Sequence, residues 1–267
     1  MRETMIEGLS GPIRVVEAGS GDGIPVLFVH SFAGSAAQWS PQLQHASATR
    51  RVAALDLHGH GRSDASSGAP YDVGSFADDI AAAADGLGLK RFVLVGHSLG
   101  GAAAISYAAD YPQRLAGLVL VATPGRLPDE QVRGVLGSLD KDYDGTMASI
   151  WKRLLTNATP ATRRTVEGES ERLPEKVARK IIGATFEFDP VPGLEAYGGP
   201  RLTISGPQEG PMQELHELVR GVDPETVEGT SHWIQLDDPD RFNEILDRFL
   251  ERIDRVASRS TVGATTS

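Results

Sequence analysis

Five short runs of almost uninterrupted apolar residues recur along the chain, separated by longer segments with helical spacing. A strand that is apolar on both faces must be covered on both faces, which is typical of a parallel sheet between two layers of helices. The five runs are IPVLFVH (24–30), RVAALDL (51–57), RFVLVGH (91–97), LAGLVLVAT (115–123) and PRLTISG (200–206). This alternation predicts an α/β fold with a mostly parallel, doubly wound sheet.

The segments between these runs carry the start and stop signals of helices. The segment 75–88 opens at Ser75 and ends at glycines, and the Ala-rich segment 100–112 ends at a proline. The segment 239–253 opens on Pro239 and repeats large apolar residues at the spacing of one helix face. These patterns predict the helices that cover the sheet.

The alternation stops between residues 124 and 196, where only helical patterns occur, at 129–140, 146–157, 160–171 and 174–184. We therefore expect a helical cap (124–196) inserted between two core strands, with the core formed by residues 1–123 and 197–257. The final stretch 258–267 is small, polar and aperiodic, which predicts a disordered tail.

Composition excludes several classes of function. The 267 residues include no cysteine, which excludes disulfides, thiolate metal sites and a cysteine nucleophile. The formal net charge of −10 argues against nucleic acid as a partner. No apolar h-region or membrane-length apolar run is present, so we expect a cytoplasmic protein without a membrane partner. No motif for a metal or cofactor was found, so we expect neither; the oligomeric state stays open.

The motif Gly96-His97-Ser98-Leu99-Gly100 lies directly between a predicted strand and a predicted helix. A tight turn at such a junction strains its central residue and exposes the serine oxygen at the carboxyl edge of the sheet. The N–H of Leu99 then lies at a helix N-terminus, where negative charge is stabilised. This context predicts that Ser98 is a nucleophile, whereas the bare pattern also occurs by chance in glycine-rich loops.

A serine nucleophile needs a base, and His232 is the best placed of the seven histidines. It lies in the loop 228–239, after the last predicted strand and before the last helix. His97 adjoins the nucleophile, so we expect its ring to point elsewhere. The other five are assigned to a strand end, a loop or surface helices: His30, His45, His58, His60 and His216.

The base in turn needs a carboxylate that fixes its tautomer. Glu209 follows the strand 200–206 and gives the chain order Ser98, Glu209, His232. An exposed turn residue is the alternative reading of Glu209. Asp223, Asp237 and Asp238 are its competitors for this role.

Four motifs in order, HSFAGSAAQW (30–39), DLHGHGRSD (56–64), GHSLGG (96–101) and GTSHW (229–233), resemble the α/β-hydrolase family. The resemblance is greatest to small lid-bearing members, among them carboxylesterases, lactonases, cofactor-free haloperoxidases and C–C bond hydrolases. It covers about 12–123 and 195–255 and leaves out the insertion.

The resemblance implies an oxyanion hole formed by the backbone N–H groups of Phe32 and Leu99. We also expect substrate contacts from Ser31, Trp151 and Trp233, although for Trp151 of the insertion, taken alone, packing of the cap onto the core is the simpler interpretation.

This sequence departs from the family pattern at several of its motif positions. Ser31 and Ala33 stand where the family usually has glycine and proline, and a glycine at position 31 would adopt a positive φ more easily than serine. Glu209 stands where aspartate is usual, and glutamate is an accepted alternative in this fold. His58 replaces a frequent arginine, and we interpret it as structural.

We therefore expect a serine hydrolase that cleaves carboxylic (acyl or lactone) esters of small molecules through an acyl-enzyme on Ser98. The alternatives within the fold are C–C bond hydrolysis and perhydrolase or haloperoxidase activity. The alternative from another class is a small-molecule receptor that binds without hydrolysis.

Overall fold

The computed structural model describes residues 1–170, 173–206 and 213–263, of which 257–263 are described by their backbone only. Seven strands form one sheet: β1 (Arg2–Gly8), β2 (Gly11–Val29), β3 (Arg50–Leu55), β4 (Phe92–His97), β5 (Leu115–Val121), β6 (Arg201–Ser205) and β7 (Val222–Thr226). The order across the sheet is β1-β2-β4-β5-β6-β7, with β3 also paired to β2. The pairs from β4 to β7 are all parallel.

The long strand β2 flanks β3 on both sides. Leu55 of β3 pairs with both Val15 and Val29, and Val52 pairs with both Ala18 and Val26. The chain therefore reverses direction between the two halves of β2, within residues 19–23. A Cβ on Gly19 would lie 2.1 Å from the Arg50 backbone oxygen, and the φ of Gly19 is +75°, so this reversal requires glycine.

Eleven α-helices are found within the described ranges, together with short 3-10 helices at Ala36–Trp39 and Pro112–Arg114. The core helices are α1 (Ser40–Ala46), α2 (Val73–Gly86), α3 (Leu99–Asp110), α9 (Leu215–Leu218), α10 (Ile234–Asp237) and α11 (Pro239–Gly263). The helices between β5 and β6 are α4 (Asp129–Lys141), α5 (Tyr143–Leu154), α6 (Pro160–Ser170), α7 (Glu175–Glu187) and α8 (Val191–Ala196).

Strand β4 shows why the sheet is covered on both faces. Phe92 and Leu94 pack with the residues of α2 and α3, whereas Val93 and Val95 pack with those of α1 and α11. Successive strand residues point to opposite faces, so an uninterrupted apolar run fills two cores at once. The mostly parallel, doubly wound sheet predicted from the sequence is confirmed.

The helical insertion is continuous with the core at its end. In α8, a Cβ on Gly193 would lie 2.6 Å from the Ile105 side chain of α3, and Leu194 is buried in the main core. Helices α4, α5 and α7 share a smaller apolar cluster with Leu139, Met147 and Ile182 at its centre. The last helix of the predicted cap segment therefore packs on the core, and α7 also reaches the core through buried Ile181.

Two features differ from the sequence expectations. The antiparallel pair β1–β2 has no predicted counterpart before residue 24. The predicted disordered tail begins at residue 258, but the backbone of α11 is helical as far as Gly263. A helix can continue without apolar contacts because its hydrogen bonds lie within the helix. No helix within the described ranges is long and apolar enough to cross a membrane.

Candidate active site

Ser98 joins the end of β4 to the start of α3. Its backbone lies at φ 53° and ψ −112°, in the left-handed half of conformational space that a residue with a side chain seldom adopts. Its N–H donates to the Val121 oxygen of the neighbouring strand at 2.9 Å, and its carbonyl accepts the N–H groups of Gly101 and Ala102. The strain predicted for the strand–helix junction is present at Ser98.

The first turn of α3 lies directly against the end of β2. A Cβ on Gly100 would lie 2.5 Å from the His30 backbone oxygen and 2.6 Å from that of Val29. A Cβ on Gly96 would lie 2.3 Å from the Gly100 oxygen. Both glycines permit this close approach, and it brings the N-terminus of α3 to the loop that begins at His30.

This loop carries Phe32, and the start of α3 carries Leu99, the two expected oxyanion donors. Within the described part of the chain, neither backbone N–H donates a hydrogen bond. Leu99 is the first residue of its helix, so its N–H has no intrahelical acceptor. The positive φ of the loop falls on Ala33, at 55°, and not at position 31.

His232 lies in the loop between β7 and α10, and main-chain hydrogen bonds hold it on two sides. Its N–H donates to the Leu154 oxygen at the end of α5 at 3.1 Å. Its carbonyl accepts a hydrogen bond from Nε2 of His97 at 2.9 Å. Burial, and secondarily the charge of Arg153, lowers the pKa of His232 to about 4. The ring is therefore neutral at neutral pH, the form in which an imidazole accepts a proton.

The ring of His97 makes its hydrogen bonds to the loop that carries His232, and none to Ser98 within the described residues. It lies 4.8 Å from the ring of His232, between centroids, and its Nδ1 faces Nε2 of Gln235 at 3.1 Å. Since Nε2 donates to a carbonyl, Nδ1 accepts from the Gln235 amide, and the ring is neutral. Burial, and then the neighbouring His232, holds the pKa of His97 well below its usual value.

The predicted carboxylate, Glu209, lies outside the described residues. Asp237 accepts hydrogen bonds from Ser231 and Thr159, and thereby shapes the His232 loop from the side. Asp223 is exposed and pairs with Arg252, and Asp238 accepts the Arg241 N–H at the start of α11. Within the described residues, none of these three aspartates contacts the His232 ring, and Ser98 Oγ makes no hydrogen bond.

A cleft of about 300 Å³ lies between the Phe32 loop and the cap. Its apolar lining comes from the loop, from helices α5 and α7 and from the segment just before α7: Phe32, Met147, Trp151, Leu173 and Ala178. Tyr143, Asp144, Ser170 and Glu175 complete the lining. The cleft lining is therefore mixed, with two carboxylates and two hydroxyl groups among the apolar side chains.

Aromatic stacking connects this cleft to the base. Trp151 stacks on Phe32 at 6.0 Å and on Trp233 at 5.9 Å, between ring centroids. Trp233 is buried and meets the His232 ring edge-on at 5.2 Å. Of the three expected substrate contacts, Trp151 lines the cleft, whereas Trp233 and Ser31 are buried behind it because their side chains pack against protein.

Known proteins share this architecture. Residues 24–198 match the alpha/beta hydrolase fold family. The chain belongs to this family. It is 30% identical to the "Putative carbamate hydrolase RutD" of Caulobacter vibrioides, over 85% of this chain and 90% of that protein.

Two solved esterases share the fold of this alpha/beta hydrolase. That of Exiguobacterium antarcticum has a TM-score of 0.81 at 20% identity and covers 94% of this chain and 100% of its own. A thermophilic esterase of Thermogutta terrifontis has a TM-score of 0.77 at 24% identity and covers 95% of this chain and 100% of its own. Both likenesses concern the fold.

Three further histidines of this alpha/beta hydrolase are buried in the loops that follow β2 and β3. His30 donates from Nδ1 to the Ser31 oxygen and accepts the Leu57 N–H at Nε2, so it is neutral. Burial, and then His30, lowers the pKa of His60 to about 3. His58 instead points both ring nitrogens at acceptors, Asp79 and the Pro70 oxygen, each at 2.7 Å. His30 thereby supports the Phe32 loop, whereas His58 joins its own loop to α2.

Sequence reasoning missed three polar residues at this site, Ser35, Gln38 and Glu169. Glu169 lies on α6 and accepts hydrogen bonds from the other two, which follow the Phe32 loop. No sequence pattern connects residues that lie so far apart in the chain. No group of three or more metal-binding side chains occurs within the described ranges.

Proposed function

We propose that this protein is a serine hydrolase that cleaves neutral carboxylic esters, acyclic or lactone, through an acyl-enzyme on Ser98. The observation that carries the proposal is the strained backbone of Ser98 at the β4–α3 junction. Nothing in the packing of the core requires a serine with φ 53° at the start of a helix. Backbone strain of this kind clusters at active sites and ligand-binding positions.

In the proposed reaction, Ser98 Oγ attacks the carbonyl carbon of the ester while His232 takes the hydroxyl proton. The N–H groups of Phe32 and Leu99 stabilise the negative oxygen of the tetrahedral intermediate. His232 then gives its proton to the leaving alcohol, and an attacking water, deprotonated by His232, releases the acid. Glu209 is proposed to hold the His232 ring.

The cleft supports a substrate class within this proposal. Its apolar side chains favour an uncharged acyl group, and a volume of about 300 Å³ accommodates an aromatic ring or a medium-length alkyl chain. Asp144 and Glu175 disfavour substrates that carry a carboxylate. We therefore propose neutral, apolar acyl esters, with Met147→Trp shortening the preferred acyl chain.

Intact mass after incubation with a fluorophosphonate tests the chemistry. We expect one adduct on the wild type and none on Ser98→Ala, with turnover of p-nitrophenyl esters lost in the same variant. Slower labelling of Glu209→Gln is expected if this residue holds His232. A wild type that binds esters but takes up no phosphonate contradicts the proposal and favours a receptor or a C–C bond hydrolase.

A carbamate is the second candidate substrate, because of the 30% identity to the protein named as a carbamate hydrolase. Attack by Ser98 on a carbamate carbonyl would give a carbamoyl-enzyme by the same steps. Steady turnover of a p-nitrophenyl N-alkylcarbamate would favour this substrate class. A single burst of nitrophenol followed by inhibition would favour esters, because the carbamoyl-enzyme would then be a dead end.

A further inference from the structure

A polar network joins the cap to the loop that carries Phe32. Ser31 Oγ donates to Oε1 of Gln38 at 3.1 Å, and Nε2 of Gln38 donates to Oε2 of Glu169 at 2.8 Å. Ser35 Oγ donates to the other carboxylate oxygen of Glu169. We infer that Glu169 is a positioning residue, which fixes the Phe32 N–H through Ser35, Gln38 and Ser31. This inference rests on the proposed function.

The burial of the network makes it sensitive to the loss of one partner. Ser31 is 2% exposed, Gln38 1% and Ser35 8%, so none of their polar atoms has ready access to water. Glu169 supplies two acceptor oxygens to two buried donors. Removal of the carboxylate leaves the Gln38 amide and the Ser35 hydroxyl without acceptors, and buried donors without partners destabilise the arrangement that holds them.

The orientation of the Gln38 amide is determined by its neighbours. Its oxygen accepts from the Ser31 hydroxyl, and its nitrogen faces an acceptor-only carboxylate. Gly34 permits this position, since a Cβ there would lie 2.6 Å from both amide atoms of Gln38. The amide therefore transmits the position of α6 to Ser31, the residue that precedes Phe32.

The main chain of the loop follows the same residues. The Ser31 carbonyl accepts the Gly34 N–H at 3.1 Å and Nδ1 of His30 at 2.7 Å, and Ser35 Oγ accepts the Ala37 N–H at 3.2 Å. Phe32 thus lies between two residues whose side chains are held by the network. Serine at position 31, in place of the usual glycine, provides the hydroxyl that reaches Gln38.

An oxyanion donor acts only if its N–H points at the developing charge. A displacement of this donor by about 1 Å lowers the rate by a factor on the order of 100. We therefore expect the network to act on the chemical step. Ser170, next to Glu169 on α6, lines the cleft, so the helix that holds the loop also borders the proposed acyl site.

Exchange of the two side chains provides the test. Gln38→Glu alone places a second carboxylate against Glu169, and we expect it to slow both phosphonylation of Ser98 and kcat by about tenfold or more. The double variant Gln38→Glu/Glu169→Gln restores all three hydrogen bonds: both serine hydroxyls still donate, and only the bond between positions 38 and 169 is reversed. We expect its rates to return to within about threefold of the wild type.

Glu169→Ala is the second single variant, and Glu167→Ala, an exposed position on the same helix, is the matched control. We expect slow phosphonylation and low kcat in Glu169→Ala and wild-type rates in Glu167→Ala, with melting temperatures measured for all. A double variant as slow as Gln38→Glu, or single variants that lose only thermal stability, would overturn the inference while leaving the proposed function intact. A wild type that takes up no phosphonate would overturn both.

Discussion

Nε2 of His97 donates a hydrogen bond to the main-chain oxygen of His232 over 2.9 Å. The residue that precedes the proposed nucleophile therefore holds the loop that carries the proposed base. Gln235, three residues after His232, contacts the other nitrogen of the same ring. Strand β4 thus fixes both partners of the proposed proton transfer.

Replacement of His97 by phenylalanine tests this relationship. His97→Phe keeps a ring but leaves the His232 oxygen and the Gln235 amide without their partner, which we expect to lower the free energy of unfolding by about 1–3 kcal/mol. We also expect kcat and the phosphonylation rate of Ser98 to fall together, with little change in KM. His45→Phe, at an exposed helix position, is the control. If His97→Phe loses this stability but keeps the kcat of the wild type, the role of His97 is purely structural.

The pH dependence of the reaction tests the state of His232. A base acts in its neutral form, and burial with Arg153 lowers its pKa to about 4, so we expect kcat/KM to fall only as the pH drops through about 4. Arg153→Gln removes a charge that disfavours the imidazolium, so the acid limb is expected to move to higher pH. Lys152→Gln, one residue away, is the control. An acid limb that Arg153→Gln does not move would contradict the assignment of His232 as the base.

The close approach of α3 to β2 predicts an effect of a single methyl group. A Cβ at Gly100 meets two backbone oxygens, which cannot rotate away, so we expect Gly100→Ala to cost about 1–3 kcal/mol of stability and to lower kcat by displacing the Leu99 N–H. At Gly134 on α4, a Cβ has no neighbour within 4 Å, and Gly134→Ala should stabilise the helix by about 0.5–1 kcal/mol. Thermal unfolding and ester kinetics on both variants distinguish the two sites.

The buried pair His58–Asp79 predicts a dependence of stability on pH. Burial disfavours the charged imidazole, but the hydrogen bond and charge of Asp79, with the Pro70 oxygen, outweigh it and raise the pKa of His58. A histidine whose pKa is higher in the folded than in the unfolded protein stabilises the fold at pH values below its unfolded pKa of about 6.5. This stabilisation is lost as the pH rises through the folded pKa.

We therefore expect Asp79→Asn to cost about 3 kcal/mol at pH 6, and less at pH 9. Urea unfolding at both pH values measures this difference, with exposed Asp78→Asn on the same helix as the control. An equal cost of Asp79→Asn at the two pH values would show that His58 is neutral in the folded protein.

Local patterns were enough to predict the parallel sheet and its helices. Strand β4 fills two cores with alternate residues of one apolar run, and such a run needs no distant partner to be recognised. Ser98 and Leu99 were placed by the same reasoning, since a strand, a turn and a helix follow directly in the sequence. The strained backbone of Ser98 is the structural form of that pattern.

The parts that escaped prediction depend on contacts between distant segments. Gln38 and Glu169 are 131 residues apart, and only the packing of α6 over the loop brings them together. The burial of Trp233 likewise follows from its stacking on Trp151 of the cap. The proximity of His97 to His232 depends on the fold of the last loop, so the sequence alone did not show what the His97 ring contacts.

The two halves of β2 leave β3 with no free edge, because Val15 and Val29 occupy its opposite sides at Leu55. Loss of the residues before the reversal at Gly19 would expose the backbone N–H and C=O groups of an interior strand. An unpaired apolar edge is a template for another chain. The amino-terminal segment therefore covers the edge of β3. A chain without this segment is expected to form intermolecular β-sheet and to aggregate before its activity could be measured.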